Sequence, residues 1–377
     1  MVNTPAKSVD EESFFEQVEN QLEEKVKDFS KTLNIAVIGK VSSGKSSLIN
    51  ALLKRNRDNA LIVGAEAGIT KNLTVLRLDD RVRLIDSPGL DDVRSQNSEV
   101  TKEFLKHIDV GILVVTASSE SSQKKYLDDL QKHCDSVFVV LNKIDEYDRY
   151  TPEALAKVVE QWKKDLNIQK IYRFCAFGYD PDISPDVPLD IRDIDWLRYD
   201  IQDFLVSKGK DLLLARHMGD KEAYANGIIT TALLSVTVEA FLPGSAAIIT
   251  ATQAAAIASL YYLYTGEIIS LKTVVGSITT FATEAGVKSI LLWIQSLLPP
   301  NGVTNIAAAG IAVTITLAML ATVKTILANG AKIQQEELLR QKFQYYRKKA
   351  EQSVKNLAFS EWNDRKAWGE IISTLNK

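Results

Sequence analysis

The sequence predicts an α/β domain built on a mostly parallel, doubly wound sheet, joined to an all-α helical domain. Three observations predict this. Between residues 34 and 206, short β-rich runs alternate with helical periodicities, as in parallel strands covered on both faces. Beyond Ser207 the alternation stops and only helical segments follow. Two long uncharged runs, 240–266 and 289–323, fall in that last part. At 377 residues, two domains are expected. The expected divisions are an N-terminal helix (1–32) that packs with the helical domain, an α/β domain (33–207) and a hydrophobic helical domain (208–377).

In chain order, Phe15, Val18, Leu22, Val26 and Phe29 recur at steps of three or four between Glu and Lys. This is an amphipathic helix in search of a partner, and its expected partner is the helix over 331–357. Strands follow at NIAVIG (34–39), LTVLRL (73–78), VRLID (82–86), VGILVVT (110–116), SVFVVLN (136–142) and IYRFCA (171–176). Helices are expected at 45–54, 98–107, 121–133, 153–166 and about 190–206, with a proline-rich loop at 179–190. The remainder reads as helices over 211–241, 245–264, 267–298, 303–329 and 331–357, with breaks at Leu242-Pro243-Gly244 and Leu298-Pro299-Pro300.

Composition narrows the function. A net charge of −3 gives no basic surplus, which argues against a nucleic-acid partner. Two cysteines, Cys134 and Cys175, make no disulfide framework and suit a reducing compartment. The histidines His107, His133 and His217 show no metal-ligand spacing. The first residues carry no secretory signal pattern, so a cytoplasmic location is expected.

The chemistry concentrates in three motifs. Gly39-Lys40-Val41-Ser42-Ser43-Gly44-Lys45-Ser46 fits G-x-x-x-x-G-K-S between an expected strand and an expected helix. Bulk is absent there because backbone N–H groups must wrap a phosphate closely. The helix continuing through Ser47 adds its positive end. Lys45 would reach the β- and γ-phosphates and Ser46 would ligate Mg²⁺. Asp86-Ser87-Pro88-Gly89 ends the strand VRLID: the aspartate suits a role at Mg²⁺, and the Gly89 N–H can sense the γ-phosphate. Asn142-Lys143-Ile144-Asp145 ends the strand SVFVVLN. The Asp145 carboxylate can accept from N1–H and the 2-amino group of guanine, which adenine cannot offer, while Lys143 lies along the base. Phe174-Cys175-Ala176 ends the last strand, where the Ala176 N–H would meet the guanine O6. Each motif sits at the carboxyl end of an expected strand, where open α/β sheets bind ligands. GTP or GDP with Mg²⁺ is therefore the expected ligand set.

On these motifs, residues 34 to about 206 resemble a translation-factor-related GTPase domain. The wording VIGKVSSGKSSLINALL is most similar to the Era-like and bacterial dynamin-like branches. The resemblance implies a switch threonine before the DSPG motif. Thr70 is the candidate for Mg²⁺ ligation and catalysis, ahead of Thr74 inside the next strand. Two departures bear on mechanism. Leu90 stands where Ras-like enzymes carry a water-orienting glutamine. Ser42 matches the dynamin serine at the fourth loop position, yet Val41 stands where dynamins carry their catalytic glutamine. Slow intrinsic hydrolysis follows, with Ser42, Lys40 or Arg94 as candidates to supply catalytic help across a dimer of GTPase domains.

The residues after 207 resemble the hydrophobic domain fused to some bacterial Era-like GTPases, and the layout resembles the immunity-related GTPases. Two accounts of the uncharged runs compete. Residues 245–264 and 304–323 are each long enough to span a bilayer. Arg340, Lys342, Arg347, Lys348 and Lys349 would face anionic lipid, and residues 241–244 or 297–300 would be the tips that enter. The same runs also suit the dry centre of a soluble bundle. The expectation is a GTP-hydrolysing switch, cytoplasmic and membrane-associated. A soluble GTP-dependent scaffold is the alternative, and a ribosome-assembly GTPase is the third reading.

Overall fold

The computed structural model describes residues 11–60, 74–87, 107–117, 121–179, 183–242, 246–284 and 306–375. The chain divides into two compact units, residues 31–219 and residues 1–30 with 220–377.

The first unit is the α/β unit. Its strands are β1 (Leu33–Ile38), β2 (Thr74–Arg77), β3 (Val82–Ser87), β4 (Ile108–Val115), β5 (Cys134–Leu141) and β6 (Tyr172–Arg173), in the spatial order β2-β3-β1-β4-β5-β6. All pairings are parallel except β2 with β3. The hairpin β2–β3 is antiparallel because only the short turn 78–81 joins the two strands. Strands β1 and β4 are buried along their whole length, which is why they read as unbroken apolar runs. On one face Ile38, Leu113, Val115 and Leu141 pack with Trp162. The helices are α2 (Lys45–Leu52), α3 (Ser121–His133), α4 (Pro152–Leu166), α5 (Ile194–Ser207) and the short α6 (Asp211–Ala215). Between α4 and α5, a small hairpin of β7 (Cys175–Phe177) and β8 (Asp190–Arg192) flanks the proline-rich loop. Arg57 fastens that loop, donating to the carbonyls of Gly178 at 2.8 Å and Pro185 at 2.7 Å.

The boundary between the units differs from the expected 207/208. Residues 208–219 belong to the α/β unit for a reason that can be named bond by bond. Arg216 Nη1 is 2.9 Å and His217 Nε2 is 3.0 Å from Asp79 Oδ2, in the β2–β3 turn. The Gly219 N–H donates to Leu53 O at 2.9 Å, and a Cβ on Gly219 would lie 2.3 Å from Lys54 O, so only glycine allows the approach.

The second unit is all helical: α1 (Glu11–Phe29), α7 (Glu222–Glu239), α8 (Ala246–Thr265), α9 (Leu271–Glu284), α10 (Ile306–Ala328), α11 (Glu336–Asn356) and α12 (Arg365–Leu375). The helix expected over 211–241 is interrupted at 216–221, where Gly219 and the Asp79 contacts hold the chain out of helical geometry. Helix α1 packs along α8, not along the 331–357 helix: Phe29 stacks on Tyr262 with centroids 4.4 Å apart and rings 2° from parallel. The expected pairing fails because α8 is apolar all round, so it offers a surface to any amphipathic neighbour.

Two helices, Ala247–Thr265 and Ala309–Ala328, are long and apolar enough to cross a membrane, and 72% and 83% of these stretches are buried within the structure. Several of their polar groups have partners within the unit. Gln253 Nε2 on α8 donates to Thr316 Oγ1 on α10 at 2.8 Å. Lys324, 4% exposed, donates to Glu222 at 2.9 Å and Asn226 at 2.7 Å on α7. Such groups would be costly in hydrocarbon without these bonds. The tip residues 297–300 and 243–244 lie outside the described residues, as does the helix expected over 98–107 apart from His107, which is not helical.

Candidate functional site

The site is assembled at the carboxyl ends of β1, β3, β5 and the short β6. Strand β1 ends at Ile38, and Gly39 follows where a Cβ would lie 2.3 Å from Val114 O on β4. The loop then turns through two left-handed residues, Ser42 (φ 62°) and Gly44 (φ 84°). Glycine at 44 avoids strain and leaves room for Asn142, whose Nδ2 would be 2.2 Å from an added Cβ. Helix α2 begins at Lys45 and directs its positive end into the loop.

Lys45 is buried, with Nζ donating to Gly39 O at 3.0 Å and Lys40 O at 2.9 Å. Burial pushes its ammonium below the ordinary lysine value, and Asp86, with Oδ1 3.7 Å away, partly offsets this. Ser46 Oγ donates to Asp86 Oδ2 at 2.6 Å. Asp86 is brought there by register, because it pairs with Val37 on β1 and faces Thr74 across β2–β3. Its Oδ1 and the buried Ser43 Oγ have no hydrogen-bond partner. Ser47 lies buried one residue into the helix beyond Ser46, while Ser42 and Val41 are exposed at the loop's crest.

The third motif is tied directly to the first. Asn142 Nδ2 donates to Ser43 O at 2.8 Å, and its Oδ1 accepts from the Lys143 N–H at 2.8 Å. Lys143 adopts φ 62° and caps a 3-10 turn, Ile144–Tyr147, that carries Asp145. That turn is held by Ile144 N–H to Phe174 O at 3.2 Å, and Phe174 N–H in turn donates to Leu141 O at 2.8 Å. Cys175 and Ala176 are thereby set beside Asp145. The Cys175 thiol, 3.3 Å from Asp190 O, is pushed up to about 12 by burial and by its contact with the Asp145 carboxylate. Thr70, Gly89, Leu90 and Arg94 lie outside the described residues. Thr74 stands in β2.

Comparison with known proteins gives the site its class. Residues 34–143 match the family model described as 50S ribosome-binding GTPase. The chain is 30% identical over 170 residues to the GTPase Der of a Nitratiruptor species, covering 41% of this chain and 36% of that protein. It is 24% identical over 200 residues to the GTPase Era of Caldanaerobacter subterraneus subsp. tengcongensis, covering 50% of this chain and 65% of that protein. The matched residues 34–143 lie inside the α/β unit and have the P-loop GTPase fold. A solved structure described as a probable GTP-binding protein engB is similar over 46% of this chain and 99% of that one, at 16% identity and TM-score 0.31. The chain spans from about a third to about two thirds of the length of these curated relatives. The Era-like resemblance therefore has support, and the family match lies wholly inside the GTPase domain.

The family match implies GTP or GDP with Mg²⁺ as the ligand set. The residues present fit these groups. Two glycines leave a cradle that any Cβ would fill. A hydroxyl and a carboxylate, from Ser46 and Asp86, form the hard oxygen donor set that Mg²⁺ takes. The buried Ser43 Oγ and Asp86 Oδ1 retain free hydrogen-bonding capacity in the same place.

The motifs do not reveal the groups that hold this site in place. Arg198 on α5, 8% exposed, donates from Nη2 to Ala51 O at 2.8 Å and from Nε to Leu52 O at 3.3 Å. With Gly219 on Leu53 O, three successive carbonyls at the end of α2 are satisfied by charge or N–H. The available signal was an arginine within the apolar spacing Leu197, Ile201, Leu205.

A second cluster lies at the amino ends of β4 and β5. His107 is 3.0 Å from Asp109 and 3.6 Å from Asp135. Two lysines already answer these carboxylates: Lys210 bonds Asp109, and Lys208 is 3.5 Å from Asp135. The Asn34 N–H donates to Asp109 Oδ2 at 2.9 Å. This is an ion-pair network anchoring residues 208–210.

Proposed function

We propose that this chain is a GTP-binding, GTP-hydrolysing switch whose helical unit acts at a membrane surface. The observation that carries the nucleotide half is the bond from Asn142 to Ser43 O, which couples the base-reading turn to the phosphate loop. Asp145 would read the base edge, with Lys143 alongside it. Lys45 would neutralise the β- and γ-phosphates, and Ser46 and Asp86, with Thr70, would hold Mg²⁺. When bound, Mg²⁺ supplies charge neutralisation between the phosphates. The chain's residues position the phosphates for in-line attack by water and exclude competing water with the closely wrapped loop.

The membrane half is supported by the two long apolar helices, whose one charged side chain, Lys324, is paired with Glu222. In this structure their apolar surface is folded away, which supports a soluble bundle that meets lipid from outside. Titration with GDP and Mg²⁺ by calorimetry tests the first half. Tight binding of GDP with at least about 100-fold weaker binding of ADP is expected, and equal affinities would overturn it. Flotation with liposomes, with and without GDP or a non-hydrolysable GTP analogue, tests the second.

Self-association is part of the proposal. The position after the DSPG motif is Leu90, which supplies no water-orienting amide. Turnover per molecule should rise with protein concentration, and a flat dependence would remove the dimer. A second reading, action on the ribosome, is favoured by the family model's description and by the Era and Der relatives. Its support stops at the GTPase domain. Co-sedimentation with 50S subunits in the GTP-analogue state would establish it in place of the membrane reading.

A further inference from the structure

The base-reading part of the site is split between two pieces of chain separated by α4 and β6. Asp145 rides on the 3-10 turn Ile144–Tyr147, and Ala176 sits in β7. Guanine is rigid, so a carboxylate on its N1–H and 2-amino group and an N–H on its O6 must keep one fixed separation. The Ile144 N–H bond to Phe174 O, 3.2 Å long, ties the two pieces at the start of the turn.

A second tie closes the other end. Arg192 on β8 grips Asp148, the residue that ends the 3-10 turn. Nη1 donates to Oδ1 and Nη2 to Oδ2, both at 2.9 Å. Such a two-pronged bond fixes direction as well as distance. The Asp148 N–H in turn donates to Asp145 O at 3.1 Å, so the gripped residue is bonded to the reading residue itself. The guanidinium is held ready from its own strand: Asp190, two residues earlier and so on the same face, has Oδ2 3.0 Å from Nη2. Across the β7–β8 ladder Arg192 pairs with Cys175, and Ala176 is the next rung, opposite Ile191. The clamp therefore lands on the hairpin that carries the O6 donor. The side chains of Arg192 and Asp148 are 36% and 58% exposed, so the pair adds little to global stability. What the fork supplies there is placement.

We infer that Arg192 is a positioning residue for guanine recognition, holding the Asp145 turn at a fixed distance from Ala176. The inference rests on the nucleotide reading and adds a group that sets its base specificity. Neither the NKID motif nor Phe174-Cys175-Ala176 contains it, and it lies 44 residues from Asp148 in the chain.

Inosine diphosphate tests this, because it keeps N1–H and O6 but lacks the 2-amino group that Asp145 would also bind. Affinities of the full chain with Mg²⁺ for GDP, inosine diphosphate and ADP are measured by calorimetry, beside urea unfolding. The wild type should prefer GDP to inosine diphosphate by about tenfold, the worth of one bond to a charged acceptor. Arg192→Ala should weaken GDP binding by about tenfold and cut that preference to about threefold. Asp148→Ala breaks the same bond from the more exposed side and should give the same two changes. The double variant should lose no more than either single one. Arg192→Lys keeps the charge without the fork and should stay closer to Arg192→Ala than to the wild type. Arg149→Ala removes a neighbouring cation that lies over the Tyr150 ring and should bind as the wild type does, and urea midpoints should hold throughout.

If Arg192→Ala and Asp148→Ala keep the wild-type preference, the inference falls and the nucleotide reading stands. It falls likewise if their losses add in the double variant, or if GDP and inosine diphosphate weaken by one common factor, as a merely structural role would give. A wild type that binds GDP and inosine diphosphate equally, yet rejects ADP, takes Asp145 off the 2-amino group and overturns the inference alone. Equal affinity for GDP and ADP overturns the nucleotide reading and the inference together.

Discussion

The two units of this chain are held by opposite means. In the GTPase domain, the parts that would touch nucleotide are fixed by a few directional bonds: Asn142 to Ser43 O, Ser46 to Asp86, Arg198 to the end of α2. In the helical unit, fixation comes from apolar packing, with Trp368, Phe281 and Phe343 fully buried, and polar bonds are the exception. The difference shows where each unit can be altered independently. Loss of a bond in the first should change ligand affinity more than global stability. Loss of volume in the second should change stability and leave the ligand alone.

The largest expected effect tests the packing side. Trp368 on α12 is fully buried and its Nε1 donates to Trp362 O at 2.7 Å. Trp368→Ala should destabilise the helical unit by about 3–5 kcal/mol. Calorimetric melting should resolve this loss while GDP affinity stays within about twofold. If affinity fell in step with the melt, the two units would not be independent.

Next comes the bond side. Lys45→Ala removes the one buried ammonium from the phosphate loop and should weaken GDP binding by at least about 100-fold, since bonds between charged groups are the strong ones. Helical-unit melting should not move. Asn142→Ala should cost about tenfold in affinity, because the base turn loses its tie to the loop. Third is Arg198→Met, which keeps length and apolar contact but leaves the Ala51 and Leu52 carbonyls unanswered. A loss of about 1–3 kcal/mol in the GTPase domain is expected, read by urea denaturation followed through a probe in that domain.

This contrast also explains what could be read in advance. The phosphate loop, the DSPG aspartate and NKID were legible because each needs particular residue types at fixed spacing at a strand end. The strands were legible because β1 and β4 are buried on both faces. Partner choice among helices was not, because α8 and α10 are apolar all round and carry no stripe to say which side faces which neighbour. Hence the partner expected for α1 is the wrong helix. Helix α12 carries a signal of its own in Trp368, Ile372 and Leu375, at steps of four and three, which the breaks and uncharged runs before it overshadow. The unit boundary was hidden because it depends on Asp79 meeting Arg216 and His217 across 138 residues of sequence in the longer case. No local pattern encodes such a contact.

That boundary gives a smaller, pH-dependent prediction. Burial alone would raise the Asp79 carboxyl, but the N–H groups of Arg81 and Val82, with His217 and Arg216, hold it below its ordinary value. A depressed carboxyl adds stability that is present above the unfolded value, near 3.8, and is lost as pH falls through the lower folded value. Acid unfolding of the GTPase domain should therefore begin at higher pH in Asp79→Asn than in the wild type, by a few tenths of a unit. An unchanged midpoint would mean that residues 216–219 are held by Gly219 alone.

The smallest effect concerns Cys175, where the two modes of fixation meet in one side chain. The thiol is buried like a core residue, yet it lies against Asp145, the carboxylate that would read guanine. An ordinary thiol, near 9.0, would be half ionised at about that pH and its anion would repel Asp145. With the value raised to about 12, the neutral thiol persists, so its contribution is intact below about pH 9 and is lost only as pH climbs toward the raised value. GDP affinity of the wild type should thus match that of Cys175→Ala in its pH dependence between about 7 and 9, within about twofold. Cys175 should also resist alkylation at about pH 8, because the thiolate is the reactive form. Rapid alkylation there, or an affinity that falls in the wild type but not in Cys175→Ala, would show that the thiol ionises early and that burial does not govern the base pocket.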